Sequence, residues 1–222
     1  FNLRIAMNSV IIVGGGKSQR FNSEIPKQFI NYNNKSIIEY SINTFLSNHK
    51  IFEVIIVIPS SWIVKFKNMY NQCKLVEGGK TRFESMRNGF NAVSNKSKNI
   101  LIHDAARPLV SNEIINNCIN YLDTYDASCP YIDIVDSIIS IDNKLVDYLS
   151  RDKIKKIQTP QGFKKNILKN YCKNEAYGHD DISGAIYYNK NIDVKFFKGE
   201  IENFKITNNI DLHLFKGIVN DL

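Results

Sequence analysis

The residues best suited to chemistry in the first part of the chain are Gly14-Gly15-Gly16-Lys17-Ser18-Gln19-Arg20, followed in the same loop by Pro26-Lys27-Gln28. Successive glycines let the backbone approach a ligand closely, and their N–H groups can turn inward as an anion nest. By itself such a triplet is only a turn. Arg20 and Lys27 change its meaning, because a polyphosphate needs several cations, some of them placed where charge develops during reaction. Pro26 fixes the chain just before the lysine. The pattern is neither a Walker A loop nor a complete G-x-G-x-x-G fingerprint, so the ligand it suggests is a polyphosphate outside those two classes.

Later blocks carry further candidates: Gly78-Gly79 with Arg82 and Ser85, then His103-Asp104-Ala105-Ala106-Arg107-Pro108, then Arg151, Gln158-Thr159-Pro160-Gln161 and Phe204-Lys205-Ile206-Thr207. No Ser-His-Asp or Cys-His arrangement for nucleophilic catalysis is visible. Asp104 closes an apolar run and is expected to meet a ligand at a strand end. Arg107 is expected to brace the turn before Pro108, and His103 to point into the packing. Trp62 and most tyrosines read as core or rim.

The bulk properties narrow the class. The formal charge is +7, but the lysines are scattered without a long like-charge run, so a phosphorylated small molecule is expected and nucleic acid is not. The cysteines Cys73, Cys118, Cys129 and Cys172 form no Cys-x-x-Cys pair. Their spacing argues against a zinc knuckle or disulfide framework and suits a reducing cytoplasm, which is the expected location. No dedicated metal-ligand spacing appears, and no apolar run approaches the ~18 residues of a membrane span.

These residues need a scaffold, and the pattern alternates strand and helix. Ser9–Val13 and Glu53–Ile58 read as strands buried on both faces. Ser36 with Glu39 predicts a capping box for a helix, and Thr81 with Glu84 opens another. Further strands are expected at Lys74–Glu77, Asn99–His103, Ala127–Ile132, Asp193–Phe197 and Asn203–Ile206, with the chain returning through Ile154–Gln158. Helices are expected near Ser61–Tyr70, Asn112–Tyr125 and Ile182–Tyr188, and from about Lys164 and Asn209. The fold class is a Rossmann-like three-layer α/β/α sandwich. Residues 1–8 are set apart as an N-terminal extension or cloning remnant, with Met7 a candidate start, and residues 9–222 as one domain. Ser137–Ile141 and Lys144–Tyr148 read as a hairpin that interrupts the alternation, in an arm of about residues 133–157. A hairpin outside the sheet needs cover, and a second subunit is one answer.

In order and spacing, these blocks resemble the 2-C-methyl-D-erythritol 4-phosphate cytidylyltransferase family over nearly the whole chain from Ser9, with His103-Asp104-Ala105-Ala106-Arg107-Pro108 the most specific string. The resemblance implies the nucleotidyltransferase fold with a protruding β-arm for dimerisation. It also implies transfer of CMP from CTP to a sugar-alcohol phosphate, with Mg²⁺ bound mainly through the CTP phosphates. Carried over residue by residue, Gly14, Gly15, Gly16, Lys17, Arg20 and Lys27 hold the triphosphate, and Lys27 and Lys205 flank the α-phosphate with Arg20 as a further catalytic cation. Gly79, Arg82 and Ser85 line the cytosine and ribose pocket. Asp104 and Ala105 sit beside ribose and acceptor, and Arg151 of a partner's arm binds the acceptor phosphate. The expected assembly is a homodimer.

Departures from the family pattern fall on both sides: in the loop, Gly14-Gly15 stands where the family commonly has two alanines and Ser18 where glycine is frequent. Ser137 stands where the family has threonine and keeps a hydroxyl, while His179-Asp180-Asp181 replaces Thr-Asp-Glu. His179 therefore leaves a cytidylyltransferase for another acceptor, such as ribitol 5-phosphate, as the alternative. A dinucleotide-binding oxidoreductase is the remote alternative. It requires an acidic ribose reader ending a second strand, where this chain has a helix carrying Glu39 in its first turn.

Overall fold

The computed structural model describes residues 7–16, 25–142 and 145–221. Its centre is β1 (Asn8–Val13), parallel to β4 (Ile51–Ile58) on one side and to β6 (Asn99–Asp104) on the other. β5 (Lys74–Glu77) extends the β4 side in parallel. Beyond β6 the sheet turns antiparallel through β11 (Gln161–Lys164), which lies between β6 and β7 (Ala127–Asp133). The first part of β7 pairs in parallel with β12 (Val194–Lys198), and its end pairs antiparallel with β10 (Lys155–Ile157).

The side-chain alternation of β1 shows why helices cover both faces. Val10 and Ile12 pack in one cluster with α1 (Ile37–Ser47), α2 (Ser60–Met69) and α4 (Asn112–Tyr121), through Ile38, Ile42, Phe45, Phe66, Ile114 and Cys118. Ile11 points the opposite way, into α3 (Arg82–Asn91), α5 (Lys165–Cys172) and α6 (Asp181–Tyr188), where Met86, Leu168 and Ile182 meet it. Each such buried side chain is worth about 1.5–3 kcal/mol relative to exposure. α7 (Asn209–Asn220) closes over Ile37 and Ile206 with Phe215. The result is the three-layer sandwich expected from the sequence.

Local signals act as anticipated at the helix starts. The Glu39 carboxylate accepts from both the N–H and the hydroxyl of Ser36, and Thr81 accepts from the Glu84 N–H. A short ribbon of β2 (Asn31–Tyr32) and β3 (Lys35–Ser36) turns through Asn33 and Asn34, both left-handed at φ 48 and 61.

The expected hairpin is present as β8 (Ile138–Asp142) and β9 (Leu145–Leu149), a two-stranded ribbon separate from the main sheet. Two expectations need correction. Asn203–Ile206 is not a strand; it is a loop tied to the sheet by the Ile206 N–H bonding to Ala106 O. Gln161–Lys164 is a strand that the pattern did not reveal, because Gly162 is flanked by only one apolar residue in so short a run. No helix among the described residues is long and apolar enough to cross a membrane.

Candidate active site

β1 lies between β4 and β6, so the chain leaves its carboxyl end in one direction and returns on the other side. That switch point is where open α/β sheets bind ligands. Gly14 follows β1 directly, Gly78 follows β5, and Asp104 is the last residue of β6, in register with Val13.

The glycine loop is held from behind. The Gly14 N–H bonds to Val57 O at 2.7 Å. Gln28, 3% exposed, donates from Nε2 to both Gly14 O (2.7 Å) and Gly16 O (2.9 Å). One amide thus engages both carbonyls and fixes the two ends of the triplet relative to each other. Gly15 passes so close to the next loop that a Cβ there would stand 2.7 Å from Ser85 Oγ and 3.1 Å from Gly78 Cα. Glycine is required for that approach of the two loops.

Lys27 begins a 3-10 turn over Lys27–Phe29, directly after Pro26. Phe29 anchors the turn, stacking on Trp62 with ring centroids 4.0 Å apart and planes within 9°. Lys17 and Arg20, both expected at the triphosphate, lie outside the described residues.

Gly79 and Ser85 form a second local unit. The Gly79 N–H bonds to Ser85 Oγ, which in turn donates to Thr81 O. Ser85 is 1% exposed, and its hydroxyl shapes the loop that the resemblance assigns to the base pocket. The Ala105 N–H is used by Val13 O, fixing the turn after β6.

The cations gather around Asp104. Its Oδ1 accepts from Arg82 Nε at 3.0 Å, its Oδ2 accepts from Lys205 Nζ at 2.8 Å, and Arg107 Nε stands 3.9 Å from the same Oδ2. Burial pushes the Asp104 carboxyl up, but Arg82, then Lys205 and Arg107, outweigh it and hold it well below the usual carboxylate range. Arg107 also donates from Nη1 to Asn203 O, bracing the turn as expected while lining the cavity. Asn203, fully buried, donates to Thr159 O, so the loop carrying Lys205 is fixed to the chain before β11.

His103 lies beneath this cluster, fully buried against Phe45. The Asp104 N–H donates to Thr159 Oγ1, and the Thr159 hydroxyl lies 3.2 Å from His103 Nδ1, while Nε2 lies 3.0 Å from Arg107 O. Arg107 O can only accept, so Nε2 carries the proton and Nδ1 takes the threonine hydrogen. Burial lowers the pKa of the ring to about 4, which keeps it neutral near pH 7.

These groups border a cavity of about 170 Å³ lined by Arg82, Asp104, Arg107, Thr159, His179 and Lys205 together with Ile157, Gln158, Gln161 and Asp180. Gly178, left-handed at φ 70, turns the chain into His179. Gln161 fixes the start of α6, its Oε1 accepting from the Asp181 and Ile182 N–H groups. Arg82 therefore belongs with Lys205 and His179 in one cavity. Ser137 and Arg151 are exposed on the arm and do not line the cavity of their own chain; Arg151 Nη1 donates to Val135 O. Gln28, Gln158, Thr159 and Gln161 stand in the sequence motifs without any sign of their roles, and Asp181 stands out there only as part of a departure.

A three-layer sandwich whose central strand ends bring a glycine loop to a cluster of Arg and Lys around one carboxylate defines an enzyme of the nucleotidyltransferase type. Comparison with known proteins agrees in fold and sequence. Residues 8–221 match the family described as 2-C-methyl-D-erythritol 4-phosphate cytidylyltransferase. A protein of that name from Clostridium botulinum is 37% identical over 98% of this chain and 100% of its own length. One from Thermotoga neapolitana is 29% identical over 97% of this chain and 98% of its own. The crystal structure of 4-diphosphocytidyl-2C-methyl-D-erythritol synthase from Anaerococcus prevotii superposes with a TM-score of 0.87 at 26% identity, covering 97% of each chain. The bifunctional IspDF from Campylobacter jejuni superposes at 0.83 with 29% identity, covering 94% of this chain and 54% of that one. The chain belongs to the 2-C-methyl-D-erythritol 4-phosphate cytidylyltransferase family.

Proposed function

We propose that this chain transfers CMP from CTP to 2-C-methyl-D-erythritol 4-phosphate, forming 4-diphosphocytidyl-2-C-methyl-D-erythritol and pyrophosphate for isoprenoid precursor synthesis. The observation that carries this reading is the cluster of Arg82, Arg107 and Lys205 around Asp104, one strand away from the glycine loop. Two anions must meet there, and fixed cations that outnumber the carboxylate offset their repulsion. The acceptor phosphate is already an anionic nucleophile, so attack on the α-phosphorus needs no strong base. A bond forms between that oxygen and phosphorus as the bond to pyrophosphate breaks. Lys27 and Lys205 flank the α-phosphate and stabilise its added charge, while the glycine loop with Lys17 and Arg20 holds the departing phosphates.

Among the described residues, no group of three or more His, Cys, Asp or Glu is disposed to hold a metal, and both Asp104 oxygens already face cations. A Mg²⁺ carried by the triphosphate oxygens would neutralise charge on the leaving pyrophosphate.

The acceptor half is completed by a second copy in a homodimer. Ile139 pairs with Tyr148 and Ile141 with Val146 across the arm, and these four share one face at 44%, 83%, 66% and 54% exposure. A second copy covers this apolar face and brings its Ser137 and Arg151 to the acceptor phosphate.

Pyrophosphate release from CTP, Mg²⁺ and each acceptor in separate reactions tests the proposal. Turnover is expected with 2-C-methyl-D-erythritol 4-phosphate. Equal or faster turnover of ribitol 5-phosphate overturns the acceptor, and no release with either overturns the activity.

A further inference from the structure

Asp181 is 1% exposed in the first turn of α6 and does not line the cavity, so it is not placed to touch a substrate. Its Oδ2 stands in an ion pair 2.8 Å from Arg82 Nη1 and has no hydrogen-bond partner among the described residues. Its backbone is pinned by Gln161 Oε1, which accepts from the N–H groups of Asp181 and Ile182. The carboxylate is thus held at a set position, buried, with one guanidinium to answer it.

That guanidinium has a second engagement. Arg82 Nε donates to Asp104 Oδ1, and Asp104 Oδ2 takes Lys205. Asp181, Arg82, Asp104 and Lys205 form a line of alternating charge across α6, α3, the end of β6 and the loop before α7. A guanidinium is a planar fork that can bind one carboxylate through two nitrogens at once. Here the fork is divided between two carboxylates, and the division leaves one Asp104 oxygen for the lysine. Without charge on Asp181, Arg82 is free to turn both nitrogens onto Asp104 and compete with Lys205.

We propose that Asp181 is a positioning residue that holds Arg82 divided between two carboxylates and thereby sets where the Lys205 ammonium stands as the phosphates react. The proposal rests on the reading that Lys205 faces the reacting phosphate.

The test compares the full-length enzyme with Asp181→Asn, Asp181→Glu, Lys205→Gln and the double variant Asp181→Asn/Lys205→Gln, in pyrophosphate release at saturating substrates. Asp181→Asn preserves volume and is expected to lower kcat about 10- to 100-fold, the scale of a displaced catalytic group, with the KM for CTP within about twofold. Asp181→Glu should recover part of the loss. In the Lys205→Gln background, Asp181→Asn should cost little more, since the lysine through which it acts is gone. Independent effects that multiply in the double variant overturn the proposal, as does a lowered Tm with kcat unchanged below the melt. Parent-like turnover of Lys205→Gln alone would instead overturn the role of Lys205. If Asp181→Asn does not fold, Arg82→Lys, which keeps the charge and loses the fork, decides; unchanged kcat there overturns the proposal.

Discussion

Lys205 Nζ donates to Asp104 Oδ2 across 2.8 Å, joining positions 101 residues apart at the mouth of the cavity. The same carboxylate takes Arg82, so one side chain orders cations from two separate elements. Replacing it leaves those cations facing each other. Asp104→Asn is expected to lower unfolding stability by about 3 kcal/mol, the scale for removing one partner of a buried pair, and to lower kcat as well. Urea denaturation with steady-state kinetics checks both.

Lys27 follows Pro26 in a turn anchored by Phe29, which sets where its side chain starts. Lys27→Ala should reduce turnover about 100-fold through loss of a donor to the transition state. Turnover within a few-fold of the parent would make it only a surface charge.

Gln28 ties Gly14 O and Gly16 O with one amide. Gln28→Leu fills similar space and removes both bonds. At about 1 kcal/mol each, partly offset by relaxation, the KM for CTP should rise roughly tenfold while the KM for the acceptor stays near the parent value. Initial-rate kinetics with each substrate varied separately reads this out.

Arg151 is exposed and bonded to Val135 O in its own arm, away from its own cavity. Arg151→Ala should chiefly raise the acceptor KM. Dimers that pair this variant with a subunit inactivated at Lys27 should regain activity, because one intact arm then serves one intact nucleotide site. A mixture showing no recovery would mean that the arm serves its own subunit.

His103 gives a pH dependence with a defined sign. Burial lowers its pKa from 6.5 to about 4, so the folded state favours the neutral ring. Its contribution is complete above pH 6.5 and is lost as pH falls toward 4, about 3 kcal/mol in all. The contribution of Asp104, whose pKa is depressed, is present above the ordinary carboxylate range and is lost at lower pH than this. Denaturation across pH 7 to 4.5 should show the decline in the parent and a shallower one in His103→Gln.

The half of the candidate site around the glycine loop was legible because its determinants are local. A buried strand ends in glycines, a proline precedes a lysine, and Thr81 caps the helix that carries Arg82 and Ser85. The line from Asp181 to Lys205 was not, since its members come from four segments and only the fold makes them neighbours. Asn203–Ile206 read as a strand from its alternation of polar and apolar residues. In the structure Asn203 is buried to bond Thr159 O and Ile206 packs beside Phe215, so the same alternation serves a fixed loop.

The stacking of Phe29 on Trp62 has a practical consequence. The chain contains one tryptophan, and its indole rests on the turn that begins with Lys27. Its ultraviolet emission is therefore a label-free optical gauge of that turn. A titration with CTP alone then follows the nucleotide loop as it engages, separately from acceptor binding and from turnover.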